Sequence, residues 1–262
     1  PLYSSAASDV YKRQIIDKGS KIIAEGTPTE PIVFTSEIVA SCIDGGVPSV
    51  AQWGGLTLIG KAGNDQVNPY EVNEAFVADR TDLADSSGII KYVQVLNSGI
   101  TMQTDKEING LSFVGVGSGT VVDHLTVNKS DDDCVELWGG TVNLSNVTLS
   151  ECTDDHFDID DGYAGTVTNL TITQTTGNAA IEMSGTTAGT FKGLTIVQNA
   201  SAKEGGVFFK GNGIGGHFEN ATITDNVADT YGAIHSDADV DSANASFTGV
   251  TINSSTADDG FT

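Results

Sequence analysis

The chain has 262 residues, with 31 glycines, 5 prolines and a 39% hydrophobic fraction, which excludes both a collagen-like repeat and wholesale disorder. Acidic residues outnumber basic ones 35 to 12, for a formal charge of −23. Such a surface repels nucleic acid and anionic lipid, whose recognition relies on Lys and Arg, and it suits cation binding or a saline exterior.

No apolar run approaches the roughly 20 residues that a spanning helix needs, so no membrane span is expected. The cysteines are Cys42, Cys134 and Cys152. An odd, sparse set is not a disulfide framework, and Cys134 and Cys152 fall at different places in the repeat described below, so stacking alone does not pair them.

Residues 1–14 break the pattern of all that follows and are set aside as a non-native leader. Residues 15–262 read as one domain whose last residues, Gly260-Phe261-Thr262, stop mid-repeat, so the chain reads as a fragment at both ends. Lys21–Ala24 and Ile32–Thr35 are short strands joined by a turn at Gly26-Thr27-Pro28, with Pro31 at a strand start, where a missing N–H is tolerated. Gln52–Gly60 is a glycine-bounded strand, and residues 61–87 form a long polar insertion. Ile89–Val95 and Glu107–Phe113 are alternating strands, and Gly115–Gly119 is a glycine-dense corner.

From Gly119 to Gly162 one pattern appears twice: Gly-Thr, an alternating run, an aspartate-rich turn, a second run, then Gly. Six apolar-Thr-apolar segments centre on Thr126, Thr148, Thr171, Thr195, Thr222 and Thr251, with steps of 22, 23, 24, 27 and 29 residues by subtraction. A repeat in this range means a solenoid. The runs have a period of two, are rich in Val, Ile, Thr and Phe, and are too short for helical repeats. A leucine-rich-repeat horseshoe would need a leucine-and-asparagine signature that is absent. The expected fold is therefore all-β: a right-handed parallel β-helix of about 22–29 residues per rung, each strand pairing with the next rung ~4.8 Å away.

Several motifs carry a family resemblance: Gly19–Thr27, Pro31–Ser36, Trp53–Leu56, Glu107–Leu111, Gly115–Thr120 and the Asp-Asp turns. In this order they resemble a family of secreted, lipoprotein-like right-handed β-helix proteins of marine and Bacteroidetes-type bacteria. The resemblance covers roughly residues 15–165, and beyond Gly165 only the generic rung pattern continues. It implies the fold and an extracellular or cell-surface location, and no settled activity.

Aligned on their threonines, Asp132–Trp138 falls on Asp154–Asp160, and Asn178–Ser184 follows one residue out of step. With Val135, Phe157 and Ile181 facing in, Glu136, Asp158 and Glu182 form an outward ladder. Like charges at this spacing cost close to ~1 kcal/mol per pair even in water. Either the carboxylates share protons at raised pKa or they hold a hard cation. Calcium suits six to eight oxygens in loose geometry, and the candidate ligands are Asp133, Glu136, Asp155, Asp158, Asp160 and Glu182. The bland alternative is a set of solvated turn aspartates. Asp158–Gly162 lacks the spaced ligands and distal Glu of an EF-hand, and this is not the nonapeptide of calcium β-rolls.

Ser130–Val135 is similar to the Asp-Asp-Cys stretch of polygalacturonase-like glycoside hydrolases, which are also β-helices. The resemblance implies general acid and base roles drawn from Asp132, Asp133, Asp154, Asp155 and Asp158. Two departures are the absence of a downstream Gly-His-Gly and of an Arg-x-Lys. Pectate-lyase chemistry wants an arginine beside calcium, and neither Arg13 nor Arg80 lies in these rungs.

His156 in its turn reads as exposed or hydrogen-bonded, with a metal-ligand or proton-carrier role as the sharper alternative. His124, His217 and His235 form no cluster. The outward threonines resemble the ice-binding face of some β-helical antifreeze proteins, but their second positions are uneven: Asn128, Ser150, Thr173, Val197, Thr224 and Asn253. Trp138, Phe208 and Tyr231 are either sugar-stacking aromatics or core-edge covers.

The function expected is a non-catalytic, monomeric module for adhesion or binding of a polysaccharide or cell-surface glycan, stabilised by calcium. A polysaccharide-degrading hydrolase using the same carboxylates is the alternative, and ice binding a minor one.

Overall fold

The computed structural model describes residues 13–36, 49–63, 78–103, 106–199, 204–211, 214–227, 231–237 and 245–254. Cys42, residues 64–77 of the insertion and the C-terminal 255–262 lie outside the described residues. The described residues hold twenty-two strands, numbered in chain order, of which twenty form the walls of a parallel β-helix.

One wall is an eight-stranded sheet in the order β1 (Gln14–Ile16), β4 (Leu56–Ile59), β8 (Leu111–Val114), β10 (Val135–Trp138), β12 (Phe157–Asp160), β14 (Ala179–Met183), β17 (Gly205–Phe209) and β20 (Ile234–Ser236). The first strand opens at Gln14, the last residue of the stretch set aside as a leader. The second sheet has twelve strands. Its longest members, β5 (Gly88–Ser98), β9 (Val121–Ser130), β11 (Asn143–Ser150) and β13 (Thr166–Gln174), are followed by shorter pairs such as β15 (Thr190–Lys192) and β16 (Thr195–Gln198).

The long strands share a bend at a residue with positive φ: Tyr92 (49°), His124 (55°), Asn146 (54°) and Asn169 (56°). Later rungs place Gly193 (73°), Asn220 (58°) and Gly249 (66°) at the same corner. Asn and Gly are the residues that adopt this conformation most cheaply. The amides also chain along the corner, Asn169 Nδ2 donating to Asn146 Oδ1 at 3.0 Å. The bend divides the twelve-stranded sheet into two legs, so each rung has three sides.

The threonine alignment is the observed register. Gln94, Thr126, Thr148, Thr171, Thr195, Thr222 and Thr251 pair in sequence along the outer face of the second leg. Inside, Phe191, Phe218 and Phe247 stack with centroids 5.0 and 5.2 Å apart. Phe157 and Phe209 meet this column edge-on. Tyr163 is wholly buried, and its hydroxyl donates to the Val142 carbonyl at 2.8 Å.

Three readings need correction. Glu107–Phe113 is not one strand. Lys106–Ile108 (β7) pairs antiparallel with Ile100–Gln103 (β6), and the chain turns at Asn109-Gly110 before β8. The strand read at Gln52–Gly60 is confined to Leu56–Ile59. Cys134 and Cys152 form a disulfide, with Cα atoms 5.5 Å apart.

The cysteines differ in repeat position, but at this corner two inward columns converge. Ser98 pairs with Ser130 and is fully buried, as is Cys152 one rung on. Gly110 precedes Cys134 in the neighbouring column, and a Cβ there would lie 3.1 Å from Ser98 Oγ. One rung later the same juxtaposition brings the two sulfurs together. Farther along, the polar column continues with buried Gln174, Gln198 and Asp225 in register.

Candidate acidic site on the eight-stranded wall

Strand alternation directs Val135, Phe157 and Ile181 into the core and Glu136, Asp158 and Glu182 outward, in register as aligned from sequence. Ser112 precedes them in this column, and Phe208 and His235 follow. The turn before each strand supplies Asp133 and Asp155. Their carboxylates bind the next rung: Asp133 Oδ1 accepts from the Asp155 N–H at 2.8 Å, and Asp155 Oδ1 from the Ala179 N–H at 2.5 Å. Asn178 donates its side-chain amide to Asp154. These bonds fix the aspartates to the frame, whatever their charge.

Solvated turn aspartates are therefore not what the fold makes of them. Asp132, Asp133, Glu136, Asp155 and Glu182 are all buried, Glu182 and Asp155 to 4% exposure. Asp158 is only half-buried as a residue, but its Oδ1 is enclosed and makes no hydrogen bond.

Burial, and then the charges of Asp132, Asp158, Glu136 and Asp155, push the Asp133 carboxyl far above the ordinary range. Burial does the same to Asp155, followed by Asp158, Glu182 and Asp154, and to Asp158, followed by Glu182 and Asp160. Glu182 is raised by burial despite the 2.8 Å bond from Lys210 Nζ. For Lys210 burial works to lower the pKa, but Glu182 and its neighbours outweigh it and raise it.

Three triads of carboxylates bring one oxygen from each residue within 4.8 Å of the others: Asp132–Asp133–Asp154, Asp133–Glu136–Asp158 and Asp155–Glu182–Glu204. Five of the six candidate metal ligands fall in these triads. Asp160 does not; it lies beside Trp138 in register, and its Oδ1 accepts from the Asp161 N–H at 2.6 Å.

Sequence reasoning missed Glu204, Lys210 and Asn109, whose Nδ2 donates to Glu136 Oε2 at 2.5 Å. They enter from turns or strand ends of other rungs, with no local signal. In register Glu182 faces Phe208, and Lys210, two residues on, reaches back to it with its side chain, a contact that strand pairing alone does not specify.

His156 is neither exposed nor at a surface turn. It is wholly buried, and burial lowers its pKa to about 4, so the ring is neutral. Trp138 is also interior, packed with Ile59, Ala78 and Val114 in a satellite cluster. The insertion read from sequence thus supplies a cover, through Ala78, for the edge of this wall. Phe208 is buried against His235, their rings stacked with centroids 5.2 Å apart, and Tyr231 meets His235 edge-on at 5.1 Å.

A family model described as a pectate-lyase-like β-helix domain matches residues 4–260. The chain belongs to that family. No match was found among curated proteins, and none among solved structures. The pectate-lyase-like architecture accounts for the parallel walls, and it is compatible with a polysaccharide partner. Among the described residues no helix is long and apolar enough to cross a membrane.

Proposed function

We propose that the protein is a secreted or cell-surface glycan-binding module whose eight-stranded wall holds calcium in its carboxylate column. The observation that carries this reading is the spacing within Asp133–Glu136–Asp158, whose oxygens lie within 4.8 Å of one another. Calcium–oxygen distances of about 2.4 Å put opposite ligands about 4.8 Å apart. The inverting hydrolase pair needs roughly 6.5–9.5 Å to admit a water, which this triad does not offer. The enclosed, unbonded Asp158 Oδ1 is a free donor of the kind a cation would engage. A cation would also offset the repulsion behind the raised carboxyls, and would let a chain of charge −23 approach an anionic polysaccharide.

The column ends in His235 and the exposed Tyr231, rings against which a sugar can stack. A buried disulfide favours an oxidising, extracytoplasmic compartment. The resemblance to secreted, lipoprotein-like bacterial β-helix proteins points the same way. A monomer is the proposed state.

A hydrolase is the second reading, favoured by an Asp158 carboxyl whose pKa is raised by burial and then by Glu182 and Asp160, the direction a general acid requires. One pair of experiments separates the two. The full chain is melted with calcium and with chelator; a rise with calcium that is lost in Asp133→Asn with Asp158→Asn supports the cation site, and an unchanged melt removes it. Polysaccharides are then screened for released reducing ends. Sugar release that Asp132→Asn and Asp158→Asn abolish while glycan binding survives would overturn the binding-module reading.

A further inference from the structure

The bent corner of the twelve-stranded sheet carries a second feature. Where later rungs place Asn146, Asn169, Gly193, Asn220 and Gly249, two successive rungs place Tyr92 and His124. A bulky side chain at positive φ is unfavourable, and its presence is a reason to look for a function. The two rings stack, with centroids 4.3 Å apart and planes 30° from parallel.

The rung before them lacks the one-residue bend altogether. Ile22–Glu25 pairs with Gly88–Lys91, and Ile32–Phe34 with Val93–Val95. Residues 26–31 therefore stand opposite the single corner residue Tyr92 and loop outward. The loop is stiff: Thr27 and Glu30 exchange backbone hydrogen bonds of 3.0 and 3.2 Å, and Pro28 and Pro31 fix their own φ. Between loop and rings lies a groove of about 290 Å³, floored by Gln94, Thr126 and Thr148. That is the small end of the range for ligand pockets, a volume for one ring.

The electrostatics are settled beside the groove rather than in it. Asp123 accepts from Ser145 Oγ at 2.9 Å and Asn146 Nδ2 at 2.8 Å, and lies 2.9 Å from His124 Nδ1. Burial alone would raise this carboxyl, but the bonds from Asn146, His124 and Ser145 outweigh it and hold it below the ordinary range. Lys91 Nζ is 3.9 Å from the same carboxylate. The groove lining itself contains no carboxylate and no amine. It offers aromatic faces, hydroxyls and amides, the groups that recognise an uncharged, hydroxyl-rich ring.

We propose that the groove between the Tyr92–His124 pair and the Gly26–Pro31 loop binds a neutral sugar ring, separately from the carboxylate wall. The ligand class rests on the glycan reading above; the site residues do not. Aromatic stacking orients the ring, and Thr126, Thr148 and Gln94 bond its hydroxyls.

The test is saturation-transfer NMR of the full chain with methyl β-D-glucopyranoside, with calcium and with chelator. Tyr92→Asn with His124→Asn is the informative variant, because Asn already occupies this corner in other rungs and the fold is kept. Transfer to the ring protons is expected in both buffers and in the unaltered chain, with affinity about tenfold weaker in the variant. Transfer of equal strength in the variant overturns the proposal. Transfer abolished by chelator and retained in the variant places the sugar on the carboxylate wall, which overturns the proposal while leaving the glycan reading standing. Absence of transfer in every form overturns both for this class of sugar.

Discussion

Along the eight-stranded wall the outward column runs Ser112, Glu136, Asp158, Glu182, whereas along the second leg of the other sheet it runs Gln94, Thr126, Thr148, Thr171, Thr195. Both columns are made by the same operation, a strand laid in register on its neighbour ~4.8 Å away. Stacking multiplies whatever the position holds. Threonines and amides gain neighbours they can hydrogen-bond, so the second column is neutral and extends for the length of the sheet. Carboxylates gain neighbours that repel them, so the first is confined to the rungs from Glu136 to Glu182, braced by Asn109 at one end and Lys210 at the other. A repeat protein can spread a stable surface over many rungs, but it concentrates an unstable one where a ligand can compensate.

The largest expected effect tests what the two walls share. Phe218→Ala removes the middle ring of the interior stack and should cost about 3–5 kcal/mol, read as the same loss of melting temperature with calcium or chelator. A loss that depended on calcium would mean that the walls do not rest on one core. Next, replacing Cys134 and Cys152 together by Ala frees a separation of 18 residues and should cost about 3 kcal/mol. Because Cys134 adjoins Asp133, this variant should also weaken the calcium response, which Phe218→Ala should leave in place.

Smaller and opposite in sign is the effect of neutralising the acidic column. In chelator, Asp133→Asn with Asp158→Asn should raise the melting temperature, by the equivalent of about 1–2 kcal/mol. The pH dependence follows. Asp133, Asp155, Asp158 and Glu182 have folded pKa values above their unfolded ones, so their contribution is present at acid pH and lost as pH rises through the raised values. His156 acts the other way: with its folded pKa lowered to about 4, its contribution is present above its ordinary pKa of 6.5 and lost as pH falls through about 4. Unfolding titrations in chelator should therefore show stability rising on mild acidification in the parent, a rise that is reduced in the double variant. Thr171→Val, on the threonine column, should change stability by no more than about 0.5 kcal/mol; a larger loss would show that the neutral wall also depends on its outward side chains.

The fold was legible because its signal is local. Alternation of apolar residues and the recurring threonine place Thr126 on Thr148 and Val135 on Phe157 without any knowledge of distant contacts. The same alternation identified Glu136, Asp158 and Glu182 as one column. What it did not reveal lies at corners, where the period of two is interrupted. Cys134 and Val135 both turn inward there, which hid the disulfide, and a one-residue bend hid the stacking of Tyr92 on His124. Burial of Asp133, Asp155 and His156 depends on side chains one or more rungs away, and no window of the sequence contains them.

The rungs differ in length by up to seven residues, from 22 to 29, yet the threonines never slip out of register. The variation falls between the paired strands, which makes each rung a cassette. Excising residues 172–195 would join Thr171 to Ile196, itself the partner of Ile172, and would set Asp158 beside Phe208 in place of Glu182. Lineages that lengthen or shorten such a chain by whole rungs can thus re-edit the order of outward chemistry along a wall, much as words are reordered in a line, while the interior keeps the same grammar.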